Sequence, residues 1–122
     1  MDFEKFVDEM KSKISLKSTL DINDIVIIAL PDIPVLYGVV TKIERDMSKK
    51  VEWWYVSFTL LTIPMKKAKW IMRTEQMTGQ ESFTMDGIYR FFCAVDIDKD
   101  EEEIIEPKVK KTKLILLKKK KD

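Results

Sequence analysis

One stretch of the chain, residues 51–60, limits the possible folds more than any other. It reads Val-Glu-Trp-Trp-Tyr-Val-Ser-Phe-Thr-Leu, the densest run of aromatic and β-branched residues in the sequence, and such residues favour strands. Successive side chains of a strand point to opposite faces. One face therefore carries four large apolar side chains, those of Trp54, Val56, Phe58 and Leu60. We predict that this face is buried, whereas Trp53 and Tyr55 on the other are either covered or offered to a partner.

Further short strands surround this stretch. The apolar run at 25–30 predicts a strand buried on both faces, and Asp86-Gly87 is a strong hairpin signal because both residues tolerate a positive φ. The predicted strands are 25–30, 35–45, 51–60, 69–74, 82–85 and 88–95. No helical pattern separates them, which favours an antiparallel barrel or sandwich over a parallel sheet. The predicted core is Val26, Ile28, Val39, Ile43, Trp54, Val56, Phe58, Trp70, Phe91 and Val95.

A buried strand is followed by the proline-containing loop 31–34 and then by Tyr37-Gly38-Val39-Val40. This part of the sequence resembles the general layout of SH3-like small barrels. The resemblance covers residues 20–95 and carries no function with it, because a fold alone does not specify an activity. We therefore predict a mainly β protein: a small antiparallel barrel of about six strands, SH3-like in layout, with an N-terminal α-helix and a charged C-terminal extension. Gly38 marks an expected bulge or bend. A different β-rich α+β fold is the alternative.

The two ends of the chain differ from this domain, which we assign to residues 19–95. Residues 1–18 predict an amphipathic helix with Asp2 as N-cap. Its apolar stripe consists of Phe3, Phe6, Val7, Met10 and Ile14. We expect the stripe to pack on the chain's own sheet, over Trp53 and Tyr55, or to form a homodimer. Residues 96–122 are acidic and then basic, which is typical of a solvated extension. Their apolar segments, 104–105 and 114–117, are expected to form an edge strand, to dock on the barrel or to bind a partner.

Composition narrows the class of protein. The 122 residues carry a net charge of +1, so a charged partner would have to recognise a local patch. The single cysteine, Cys93, excludes an intrachain disulfide and is expected to be a small core residue. The N-terminus lacks the features of a signal peptide, and no apolar run approaches the roughly 20 residues of a membrane span. We expect a soluble, cytoplasmic protein with no membrane span.

The sequence lacks the residues that most enzyme reactions require. The sequence contains no histidine, so histidine-based nucleophile pairs, general bases and metal ligands are excluded. One cysteine cannot form a zinc cluster, and no phosphate-binding glycine motif is present. Glu75 and Glu81 flank a predicted turn and are interpreted as surface acids. We predict a protein that is not an enzyme and that has no cofactor and no metal site.

Binding is better supported than catalysis. Basic residues cluster at Lys66, Lys67, Lys69 and Arg73, and Arg90 lies on another strand. Together with Trp53 and Tyr55 as stacking side chains, they form a candidate site for single-stranded nucleic acid. Nucleic-acid-binding domains are usually markedly basic, however, and this one is neutral. The principal prediction is therefore a protein-interaction module, with nucleic acid as the alternative. A weaker third hypothesis is attachment to anionic lipid through the lysines around 114–117.

Overall fold

The computed structural model describes residues 2–98, so most of the predicted C-terminal extension lies outside the described residues. Its elements are α1 (Phe3–Lys11), β1 (Ile25–Ala29), β2 (Leu36–Arg45), β3 (Trp53–Leu60), β4 (Lys66–Arg73), α2 (Thr74–Met77), β5 (Phe83–Met85) and β6 (Ile88–Ala94). All pairings are antiparallel, in the order β4-β3-β2-β1-β6-β5. The sheet curls into a half-barrel with the helix outside it. The predicted mainly β class, with six strands and an N-terminal helix, is confirmed.

Helix α1 closes the outer face of β1 and β6. The Asp2 side chain accepts a hydrogen bond from the Lys5 backbone N–H at 3.2 Å, which confirms the predicted N-cap. The apolar stripe is buried in a cluster with the outer residues of those strands: Phe3, Val7, Met10, Ile27, Ala29, Phe91 and Cys93. The expectation that the stripe covers Trp53 and Tyr55 is therefore wrong. Because the stripe is already buried within its own chain, a homodimer through α1 stays a prediction with no supporting contact.

The inner face of the sheet holds the second apolar cluster. Phe58 on β3 contacts Trp70 on β4 edge-on, with ring centroids 5.1 Å apart, and lies 5.4 Å from Phe92 on β6. Trp70 in turn meets Phe83 on β5 at 6.3 Å. Since β4 and β5 are the two ends of the strand order, this last contact joins the two edges of the sheet. Edge-to-face aromatic contacts therefore hold the curvature of the half-barrel.

A β-bulge reverses the side-chain alternation of β2. Val40 lies opposite Phe58, but the next register pair is Lys42 with Ser57, which leaves Thr41 as the extra residue. Val40 is fully buried before the bulge, and Ile43 packs on the same inner cluster after it. Val39 points to the outer face, so its predicted place in the core is wrong. The irregularity expected at Gly38 falls at Thr41 instead.

Strand β4 begins earlier than predicted. Lys66 and Lys67, which precede the predicted strand 69–74, pair with Leu60 and Thr59 of β3. The segment after β4 forms the short helix α2 instead of an irregular turn. Its first turn is closed by the Gln76 side chain, which accepts a hydrogen bond from the Arg73 backbone N–H at 2.9 Å.

Two glycines have nearly the same φ but very different surroundings. The Asp86-Gly87 hairpin is confirmed, with φ values of 57° and 77°. A Cβ on Gly87 would meet no described atom within 4 Å, whereas a Cβ on Gly79, at φ +79°, would lie 2.3 Å from Cys93 Sγ. The loop after α2 therefore packs directly on β6. The predicted core placement of Cys93 is confirmed.

We expect Gly79→Ala to lower the free energy of unfolding by about 3 kcal/mol, because left-handed strain adds to a steric clash with Cys93. Gly87→Ala is the matched control, since it introduces the strain without the clash and costs about 1 kcal/mol. Urea unfolding followed by tryptophan fluorescence measures both. Equal losses in the two variants would contradict this packing of Gly79 on Cys93.

Candidate functional site

The outer face of β2, β3 and β4 carries most of the predicted binding residues. Register places Trp53 opposite Arg73, Ser57 opposite Lys69 and Thr59 opposite Lys67, and side chains two residues apart on a strand share a face. Five of the seven predicted residues are therefore brought together: Trp53, Tyr55, Lys67, Lys69 and Arg73. We call these five residues the aromatic–basic face. Within residues 2–98, the helix that was expected to cover this face lies on β1 and β6 instead.

A cation lies over each ring of the aromatic–basic face. Lys69 Nζ is 5.5 Å from the centroid of the Tyr55 ring, and Arg73 Cζ is 6.0 Å from that of Trp53. Contacts of this kind contribute about 0.5–1 kcal/mol at exposed sites and favour one ring orientation. Tyr55 is 37% exposed, and Trp53 is half-buried. The face therefore presents oriented aromatic surface with positive charge beside it.

The charges of this region divide into paired and unpaired groups. Arg73 is bound by two carboxylates, Glu81 at 2.6 Å and Glu75 at 3.6 Å. The two surface acids predicted near the turn therefore neutralise the guanidinium. Among the described residues, no ion pair involves Lys66, Lys67 or Lys69. The uncompensated positive charge consequently lies in the first half of β4.

The two remaining predicted residues lie elsewhere. Lys66 pairs with Leu60, which packs on the inner cluster, so alternation directs Lys66 away from the aromatic–basic face. Arg90 shares the inner face of β6 with Phe92, and its Cζ is 4.7 Å from the Trp70 ring centroid. Its buried Nε has no hydrogen-bond partner within the described part of the chain. Arg90 therefore lies apart from the aromatic–basic face, because β6 directs it into the half-barrel.

A shallow groove of about 420 Å³ lies beside the two lysines of the face. Hydroxyl groups of neighbouring strands line it with the lysines: Thr41, Ser57, Thr59, Lys67 and Lys69, next to Phe58 and Ala68. The Thr41 side chain donates a hydrogen bond to the Ser57 carbonyl at 3.2 Å, which holds it across the bulge. The sequence analysis missed Thr41, because no residue pattern marks the bulge that places it here.

A second groove, of about 500 Å³, lies over the outer face of β1 and β2. It is lined by Ile25, Val35, Leu36, Tyr37, Leu61, Thr62, Val95 and Ile97, and we call it the apolar groove. Tyr37, Leu61 and Ile97 are 47%, 48% and 65% exposed. The sequence analysis missed this site because its walls come from four separate segments of the chain. One of them follows the predicted strand 51–60, and another includes the start of the predicted C-terminal extension.

Polar contacts fix the start of β3. The Trp54 indole N–H donates to Thr74 Oγ1 at 3.0 Å, and the Thr74 hydroxyl donates to Glu52 Oε1 at 2.8 Å. Hydrogen bonds from the Ser48 side chain and backbone hold the pKa of Asp46 below its usual value, with a smaller contribution from the Tyr55 side chain. These contacts anchor β3 at the end where Trp53 and Tyr55 are presented.

The described residues offer surfaces for contact more than reactive groups. Burial raises the pKa of the Cys93 thiol to about 11, so this thiol is protonated at neutral pH. Within residues 2–98, no cluster of acidic or cysteine side chains is suited to hold a metal ion. No helix of that same part of the chain has the length and apolarity to cross a membrane.

Comparison with protein-family models, with curated proteins and with solved structures finds no match for this chain. The resemblance to SH3-like barrels therefore stays a prediction. Any functional proposal has to be based on the two surfaces just described.

We expect Thr74→Val to lower the free energy of unfolding by about 1 kcal/mol, because the Trp54 indole N–H loses its acceptor. Thr84→Val, an exposed change of the same chemistry on β5, is the control and should have an effect close to zero. Urea unfolding, followed by the combined fluorescence of the three tryptophans, provides the free energies. If both variants unfold at the same urea concentration, the Trp54–Thr74 contact contributes nothing to stability.

Proposed function

We propose that this protein is a non-catalytic protein-interaction module, and that its apolar groove binds a short segment of a partner protein. The observation that supports this is the convergence of three exposed large apolar side chains, Tyr37, Leu61 and Ile97, on one groove. Contiguous exposed apolar surface is characteristic of interaction sites. A scattered set of exposed apolar side chains would carry no such meaning.

The dimensions of the groove indicate the kind of segment. A volume of about 500 Å³ is within the usual range for ligand pockets. It accommodates one or two large apolar side chains, and burying each contributes about 1.5–3 kcal/mol. Thr62 is the polar residue of the lining, so apolar contact supplies most of the recognition. We therefore propose a peptide with an apolar anchor residue and an affinity on the order of micromolar.

Two of the four segments that form the groove are strands of the sheet. Ile25 and Tyr37 belong to β1 and β2, and the Leu61 backbone N–H donates to the Tyr37 carbonyl at 3.0 Å. Little ordering of the groove is therefore needed on binding, which favours affinity. We also propose a cytoplasmic location, which is supported by the single unpaired Cys93.

The proposal predicts that a random peptide display library, selected on the full chain, enriches sequences that share a large apolar residue. Tyr37→Thr combined with Leu61→Thr should weaken those peptides about tenfold or more, because apolar contact area is lost from two walls. Ile63→Thr is the matched control, since Ile63 is fully exposed and does not line the groove. Fluorescence anisotropy with the enriched peptides gives the affinities.

Threonine keeps the strand preference at position 37, and circular dichroism confirms that the variants are folded. A selection that enriches no peptide contradicts the proposal. So does an enriched peptide that binds the double variant as tightly as the original chain.

A further inference from the structure

We infer that the aromatic–basic face is a second, separate binding site, and that its ligand is single-stranded nucleic acid. This inference is independent of the apolar groove. It depends on the juxtaposition of an exposed ring, lysines without an ion pair and hydroxyl groups on one sheet surface, within the described residues 2–98. Each of these three features corresponds to one chemical part of a nucleotide.

The rings correspond to the bases. Trp53 and Tyr55 are two residues apart on β3, so their Cα atoms are about 6.8 Å apart along one face of the strand. Every base has a π-face, and stacking on an aromatic side chain contributes about 1–3 kcal/mol per base. Tyr55 is 37% exposed, and it lies at the end of β3 that Asp46 and Ser48 anchor. It is therefore the principal stacking side chain, with the half-buried Trp53 next to it.

The lysines correspond to the phosphates. Lys67 and Lys69 line the shallow groove, and Lys66 precedes them. Among residues 2–98, no acid forms an ion pair with any of the three. Arg73, at the other end of β4, is already held by Glu75 and Glu81. A polyanion is therefore attracted to the start of β4, while its bases reach Tyr55.

Hydroxyl groups complete the site. Ser57 and Thr59 on β3 line the same groove as the lysines, and such side chains are common donors to phosphate and sugar oxygens. The groove is shallow, and its lining offers no amide or carboxylate side chain of the kind that reads base edges. Weak sequence preference is therefore expected.

Single-stranded nucleic acid fits this surface better than two other polyanions. A duplex hides the faces of its bases in the stack and leaves the Tyr55 ring without a partner. An acidic peptide would satisfy the lysines, but it has no flat π-surface for the ring. Glu44 lies opposite Tyr55 in the register, so a chain of carboxylates would meet repulsion beside the ring. A neutral base would not.

The inference is tested with the full chain and a fluorescein-labelled 12-nucleotide single-stranded DNA of mixed sequence, by fluorescence anisotropy between 50 and 200 mM salt. Two phosphate contacts, those of Lys67 and Lys69, predict a slope of about −1.4 for log K against log salt, which is about a sevenfold loss of affinity over this range. Lys67→Gln combined with Lys69→Gln should weaken binding and reduce the slope to near zero, because both phosphate contacts of the face are removed.

Tyr55→Ala separates stacking from charge. It should lower the affinity by roughly tenfold while leaving the salt slope unchanged, because no phosphate contact is removed. Lys5→Gln combined with Lys13→Gln is the control for charge, since both lysines are exposed at α1 or just after it, and the same net charge is removed. This control should retain the original affinity. The paired change at Tyr37 and Leu61 should also retain it, which distinguishes this site from the apolar groove.

Three results would overturn the inference. The first is the absence of saturable binding at 50 mM salt. The second is an equal loss of affinity in the variants of the face and in the Lys5 and Lys13 control, which would assign binding to overall charge or to the lysines beyond residue 98. The third is displacement of the DNA by a glutamate oligopeptide of equal length as effectively as by unlabelled DNA, which would identify the ligand as an acidic peptide.

Discussion

Burial of β1 on both faces is the constraint on which the rest of the structure depends. Val26 and Ile28 enter the inner cluster, while Ile27 and Ala29 lie under α1. A strand this apolar has no face for water, so the sheet must curl around one side and the helix must cover the other. The apolar groove begins at Ile25, at the end of β1 that is outside the helix cluster, and the aromatic–basic face lies on β3 and β4.

The two grooves are next to each other but differ in chemistry. The walls of the apolar groove come from β1, β2 and the segments that follow β3 and β6. The aromatic–basic face lies farther from the helix, on β3 and β4, where lysines alternate with inward residues. The protein thus presents one surface suited to an apolar side chain and another suited to a charged polymer, both on the outside of a single sheet.

The sequence predicted those features that depend on neighbouring residues. Alternation in β3, the N-cap at Asp2 and the Asp86-Gly87 hairpin follow from local preferences, and all three are confirmed. The outward position of Val39, the inward position of Arg90 and the path of α1 depend on register and on long-range packing. The apolar groove was not predicted because its lining residues converge only when the sheet forms. The lysines of β4 were predicted because they are adjacent in the chain.

The extra residue at Thr41 has a consequence for how this chain tolerates change. The two halves of β2 follow opposite parity: even-numbered residues face inward before Thr41, and odd-numbered residues face inward after it. Deleting that one residue would remove the bulge and leave a regularly alternating strand, in which Val40 and Ile43 still face inward and Lys42 still faces outward. The apolar interior therefore does not require the extra residue, and what the bulge adds to the molecule is the Thr41 side chain in the groove beside Lys67 and Lys69.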